Sequence, residues 1–234
     1  MLVDIFSSFD DHNFVFMSFY LFMWVFSLGG LWCLNMSYWV GNSRWSYFFN
    51  IPKSIIMSQL TRSFGVQLAG FVNLVASLFL VLIILNLMGL IPYVYSLTSH
   101  LVFSFSLGFP LWLSLIISGS FYSPSSTAAG LLPSGAPAAL NPFLVLVETV
   151  SLCVRPITLS IRLVANMSAG HIVLGLVGTY LSSGIFTYSP ENLGFLMVVQ
   201  VFYSMFEIGV ALIQAYIFIL LIVLYTDDHP SKKN

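Results

Sequence analysis

Residues 148–174 read ETVSLCVRPITLSIRLVANMSAGHIVL. Glu148, Arg155, Arg162, Asn166 and His171 stand there among residues apolar enough to sit in lipid. A charged side chain at the centre of a bilayer costs at least ~2.5–3.5 kcal/mol on insertion scales, so such residues mark function by default. Glu148, Arg155 and Arg162, three ionised groups in fifteen residues, would be a costly way to build an inert anchor.

The rest of the chain has the same apolar character. It has 234 residues, 59% hydrophobic and 6% charged, with a mean hydropathy of +0.97. Soluble domains are roughly a quarter charged, so this is a polytopic membrane protein. A net charge of −1 leaves no basic patch to neutralise phosphates, which excludes nucleic acid as a partner. Cys33 and Cys153 lie in apolar runs, and neither a disulfide framework nor a thiolate metal site is expected. The N-terminus, MLVDIFSSFDDHNF, is acidic and has neither the basic start of a signal peptide nor the Arg/Ser-rich character of a transit peptide. The chain is expected to insert through its own spans or to be made beside its membrane.

Apolar runs predict an all-α polytopic membrane protein, a single membrane domain over 1–234. It has about five membrane helices plus one surface amphipathic helix, the last two membrane helices long and strongly tilted. The first span covers 13–35, with Trp32, Tyr38, Trp39 and Trp45 at its end as an aromatic belt. Residues 44–64 follow, where apolar Phe48, Ile51, Ile55 and Leu60 recur at near-helical spacing beside Ser54, Ser58 and Thr61, a pattern for a helix lying on the surface. Arg44, Lys53 and Arg62 in this segment, against Asp4, Asp10 and Asp11 before the first span, put the N-terminus outside and this segment inside.

Spans at 68–92 and 101–121 come next. Pro92 favours a helix end, Asn86 is read either as functional or as a packing hydrogen bond, and His100 as an interfacial histidine without a role. The stretch SPSSTAAGLLPSGAPAALNP reads as a loop. The last two segments, 139–181 and 191–226, would as continuous helices be roughly 60 Å and 50 Å long against a hydrocarbon core of ~30 Å. Neither contains a polar turn able to reverse the chain, and Pro156 alone kinks a helix rather than ending it, so tilt is the expectation. Five crossings place Lys232 and Lys233 inside, with the earlier basic segment. No inverted repeat of the kind that marks many secondary transporters is visible.

At 100° per residue, Glu148, Ser151, Arg155, Thr158, Arg162 and Asn166 fall within about 40° of one line, and His171 points to the opposite side. Gln200, Tyr203, Ser204, Glu207 and Gln214 share a face of the last segment, extended by Tyr225 and Asp228 if the helix continues. Two long helices with facing polar stripes make a wet path through lipid. The competing reading, a buried salt bridge between Glu207 and an arginine that fixes packing, fits poorly with so many polar residues.

Glu148, His171, Glu207 and Asp228 can take up and release protons. Arg162 cannot, because guanidinium stays protonated at any working pH. A permanent cation on a proton path is a block, and its natural task is to attract a carboxylate. At ~4 Å and an effective dielectric of ~20 that attraction is about 4 kcal/mol, or roughly three pKa units. No unassigned acidic residue of this chain can be the partner, so another subunit must supply it.

The motifs NLMGLIPY, LLPSGAPAALNPF, SIRLVANMSAGH and FEIGVALIQAYIF occur in this order. With them the chain resembles subunit a of the F-type ATP synthase membrane sector, most closely the mitochondrial form. RL-x-AN-x-x-AGH followed by LIQAY is the specific part, and Val164 stands where the family has a small or hydroxylated residue. The resemblance implies that Arg162 is the arginine facing a rotating ring of c subunits and its membrane carboxylate. It implies that Glu207 and His171 line the half-channel from the intermembrane space, that Glu148 lines the matrix half-channel, joined there by Asp227 or Asp228, and that Asn166 and Gln214 flank the arginine. Protons load a ring carboxylate from one half-channel and leave by the other, and the arginine prevents a short circuit.

Further implications are a chain non-catalytic by itself, no cofactor, and the inner mitochondrial membrane with the N-terminus toward the intermembrane space and the C-terminus toward the matrix. The implied partners are the c ring, peripheral-stalk and other membrane-sector subunits, lipid, protons and water. No P-loop pattern GxxxxGK[ST] occurs. Arg155, one heptad before Arg162 on the same face, is not separable from it by geometry; the resemblance gives Arg162 the central role, and with Glu148 seven residues earlier Arg155 reads as a matrix-side structural or electrostatic residue. The alternative function is a stand-alone ion channel or secondary transporter. A membrane-embedded enzyme lacks both paired intramembrane aspartates and a Ser–His constellation.

Overall fold

The computed structural model describes residues 25, 29, 44–68, 70–91, 95–131, 140–185 and 188–227. The expected span 13–35, Asp228, and Lys232 and Lys233 lie outside them, apart from residues 25 and 29. The described residues form helices α1 (Arg44–Leu60), α2 (Phe71–Gly89), α3 (Leu101–Tyr122), α4 (Pro124–Gly130), α5 (Asn141–Gly184) and α6 (Pro190–Asp227), with 3₁₀ turns at Phe64–Gln67 and Leu97–Ser99. No strand occurs among them. In hydrocarbon every backbone N–H and C=O must be satisfied within the segment, which leaves helices as the solution for runs this apolar. Four of these helices, α2, α3, α5 and α6, are long and apolar enough to cross a membrane.

The polar residues inside these helices follow the same rule. Serine and threonine hydroxyls turn back onto their own helix: Ser77 Oγ donates to Leu74 O at 2.8 Å, Ser114 to Leu111 O at 2.7 Å and Ser204 to Val201 O at 2.8 Å. A hydroxyl bonded to a preceding carbonyl needs no water. α5 runs unbroken for 44 residues although Pro156 removes one backbone donor from its interior. α6 opens with Pro190 at its first position and Glu191 in its first turn, where a missing N–H is harmless and a negative charge meets the helix dipole favourably.

The stretch expected to be a loop contains α4. Pro124 starts it in the position proline tolerates best, and Ala128 and Ala129 are strong helix formers. α1 also differs in detail from its sequence pattern. Ile56 and Leu60 are buried, whereas Tyr47, Ile51 and Ile55 point outward at four-residue spacing on another side. Leu60 therefore does not share a face with Ile51 and Ile55.

The chain divides into two compact units, each assembled from separate stretches of sequence. The histidine unit comprises, among described residues, 81–91, 95–100, 163–185 and 188–216. Leu82, Leu85, Leu163, Met167, Ala211 and Ala215 form its core. Asn86 is wholly buried and donates through Nδ2 to Ala211 O at 3.2 Å, which is the packing reading of that residue. His100 stacks on Tyr95 and shares a hydrogen bond with its hydroxyl, so it has a partner that the sequence did not suggest.

The arginine unit comprises 44–68, 70–80, 101–131, 140–162 and 217–227. Val75, Phe79, Leu115, Leu159, Phe218 and Ile222 are its core. Helices come close at Gly108, where an added Cβ would lie 3.2 Å from Leu159 Cδ2, the close approach that small residues permit in membrane helices. Gly70, with φ of +81°, supplies the left-handed turn that starts α2.

Candidate functional site

The ionisable residues fall into one cluster in each unit. In the histidine unit, Glu207 is buried at 4% exposure and Gln214 at 3%. No lysine or arginine occurs among the described residues of this unit, so a salt bridge to arginine within it is not what holds Glu207. Its neighbours there are of another kind. His171, half-buried on α5, interacts with it electrostatically, and Tyr203, one turn before it on α6, interacts through its hydroxyl.

Gly170 is the least expected neighbour. A Cβ at that position would overlap Glu207 Oε2 and lie 2.7 Å from Oε1, so the carboxylate rests directly against the α5 backbone. Only glycine leaves that space. The sequence offered one faint signal, a glycine beside a polar residue inside a span.

Two further groups line this cluster. Asn166 Nδ2 donates to Gln214 Oε1 at 2.7 Å, joining α5 to α6 by a short side-chain bond. Gln200 Oε1, on the same α6 face, is buried with no hydrogen-bond partner among the described residues. A buried acceptor in this condition is a natural site for a water. At the turn between α5 and α6, Tyr180, Tyr188, Asn192 and Leu196 line a cavity of about 250 Å³.

In the arginine unit, Arg155 Nη2 lies 3.4 Å from Glu148 Oε1, and its guanidinium carbon stands 5.4 Å from the centre of the Tyr225 ring. Asp227 is exposed at the end of α6. Arg162 is exposed on α5, beside exposed Thr158 and Ile161. Among the described residues of this unit no carboxylate lies within ion-pairing distance of Arg162. The two arginines that sequence geometry left equivalent are thus distinguished by their surroundings. Arg155 is committed to Glu148 and Tyr225, and Arg162 is open.

Permanent cation, exchangeable carboxylates and histidine inside long apolar helices define a polytopic membrane protein built around intramembrane charge. Comparison with known proteins narrows the class. The sequence model of the family described as "ATP synthase A chain" matches residues 14–227. The chain is similar to "ATP synthase subunit a" of Albinaria caerulea, 38% identical over 98% of this chain and 100% of the relative, and to that of Artemia franciscana, 38% identical over 97% and 100%. The Drosophila yakuba protein of the same description is 36% identical over 97% of this chain and 99% of the relative. The chain belongs to the ATP synthase A chain family.

Proposed function

We propose that this chain is the proton-conducting stator subunit of an F-type ATP synthase in the inner mitochondrial membrane, working against a ring of c subunits beside the peripheral stalk and other membrane-sector subunits. Protons enter on the intermembrane-space side, pass the His171–Glu207 cluster, and load the ring carboxylate. They leave on the matrix side past Glu148, with Asp227 or Asp228 at the outlet. Arg162 stands between the two half-paths, and Asn166 and Gln214 flank it. α5 and α6 cross the membrane strongly tilted, and α1 lies at the matrix surface. ATP chemistry belongs to other subunits.

The observation that carries this reading is the contrast at Arg162, an exposed guanidinium without a carboxylate from its own unit, in a chain whose family match covers nearly its whole length. A guanidinium cannot pass a proton on, but it attracts a carboxylate brought by a neighbour. The carboxylate gives up its proton on approach, and the cation prevents protons from crossing directly between the half-paths. Support on the inlet side comes from Glu207, which sits buried beside His171 and against Gly170, with no lysine or arginine among the described residues of its unit.

Arg162→Ala in otherwise intact membranes is the test. Proton-driven ATP synthesis is expected to vanish while the assembled complex is still recovered with its ring. Coupled synthesis persisting in assembled Arg162→Ala complexes would sink the reading. Purified chain reconstituted without the ring is expected to dissipate little of an imposed proton gradient, and a selective flux would favour the stand-alone channel instead.

A further inference from the structure

Arg155 and Arg162 stand one heptad apart on α5, and the structure gives them opposite surroundings. Arg155 donates from Nη2 to Glu148 Oε1 at 3.4 Å, and its guanidinium carbon lies 5.4 Å from the Tyr225 ring centre. The arginine side chain is 27% exposed and the glutamate 38%. A planar guanidinium can donate hydrogen bonds from its edge while an aromatic ring covers its face, a combination lysine lacks. Glu148 lies two helical turns before Arg155 on the same helix, whereas Tyr225 belongs to the last turn of α6. The cation therefore ties the Glu148 carboxylate to the end of a second helix.

Other charged groups near this end of α6 are few. Asp227 follows Tyr225 and has an interaction of its own. Arg62 is exposed just before the 3₁₀ turn whose Gly65 packs against Thr226. Neither guanidinium gives up its proton at working pH, so the carboxylates here, Glu148 and Asp227 with Asp228 following, are the groups able to carry one.

We propose that Arg155 is a positioning residue for proton release. It holds Glu148 in one orientation at the outlet, and the Tyr225 ring holds Arg155. Glu148 accepts a proton from water on the path and returns it to matrix-side water, and Arg155 keeps its own proton throughout. The proposal rests on the reading of Glu148 as an outlet group given above.

The test uses membranes carrying the complete synthase, with ATP synthesis driven by an imposed gradient and the pH of the two sides varied independently. Arg155→Gln is expected to lower the rate about tenfold, as loss of orientation at a transfer step does. It is also expected to move the dependence on outlet-side pH by about half a unit or more, roughly 0.7 kcal/mol of altered interaction, and to leave the dependence on inlet-side pH in place. Arg155→Lys restores part of the rate, and Tyr225→Leu, which removes the ring, lowers it less than Arg155→Gln does.

A merely structural arginine would lower the rate in proportion to the amount of assembled complex and move neither profile. That result, or an Arg155→Gln complex within about twofold of the unaltered rate with both profiles fixed, overturns the proposal. Arg162→Ala measured in the same membranes separates the two levels. If it retains coupled synthesis the stator reading fails, and if it is inactive while Arg155→Gln is silent only the positioning role fails.

Discussion

The histidine unit and the arginine unit sort charge by kind. Every described lysine and arginine lies in the arginine unit, and the described ionisable groups of the histidine unit are histidines, glutamates and tyrosines. Imidazole and carboxylate change charge within reach of neutrality, whereas guanidinium does not. One unit therefore holds groups able to change charge, with no permanent cation among its described residues. The other holds fixed positive charge, one part neutralised by Glu148 and one part exposed at Arg162. The division falls within the unbroken helix α5, between Arg162 and Leu163. A single helix thus carries an exchangeable imidazole in one unit and permanent cations in the other.

Replacing the permanent cation by an exchangeable group attacks this contrast most directly. Arg162→His is expected to abolish coupled synthesis, since an attraction of ~4 kcal/mol corresponds to about three decades in equilibrium. It is also expected to let protons leak through the assembled complex, measured as gradient decay in membrane vesicles without ATP synthesis. Complexes that stay tight would show that the contrast is not what separates the half-paths.

Removing exchange from the other unit comes next. Glu207→Gln keeps the shape and deletes the titrating group, and a loss of about a hundredfold in proton-driven synthesis is expected, the scale of a positioned proton-transfer group. Gly170→Ala leaves Glu207 chemically intact but pushes its carboxylate off the α5 backbone. Misplacement of about 1 Å can cost up to about a hundredfold, so a loss of roughly tenfold in synthesis rate, with normal assembly, is the expectation. An unaffected rate would mean that the carboxylate works equally well from another position.

Smaller effects concern stability. Asn166→Leu leaves the buried Gln214 Oε1 without its 2.7 Å donor. Loss of about 1–3 kcal/mol is expected for an orphaned buried group, read as a lower thermal midpoint in mild detergent. In the arginine unit, Gly70→Ala forces a Cβ into left-handed backbone at φ +81°, which costs about 1–2 kcal/mol without touching any charged group. It should lower the midpoint and leave the rate per assembled complex unchanged.

Much of the fold was legible because the bilayer narrows the choices. Long apolar runs without polar turns could only be long helices, and α5 and α6 are continuous, with Pro156 inside α5 and no break there. α4 was not legible, because proline, glycine and serine are loop residues by composition while Pro124 at a first helical position starts a helix instead. At the site, the 100° periodicity put Asn166 and Gln214 on polar stripes, and the structure joins them. Periodicity could not rank Arg155 against Arg162, since both occupy one face and only the third dimension brings Tyr225 to one of them. Gly170 escaped for a related reason. A residue without a side chain has no pattern to read, and its role exists only in the space it leaves for Glu207.

The bond from Asn86 to the carbonyl of Ala211 has a mechanical consequence. It joins α2 to α6 one helical turn beyond Glu207, in a place without access to solvent. For α6 to slide by part of a turn, that amide would have to leave its acceptor before the next carbonyl, about 5.4 Å along the axis, reached it. Two helices tied in this way resist creep along their axes under sideways load. A single buried asparagine, working as a detent, holds α6 at one height against α2 close to Glu207.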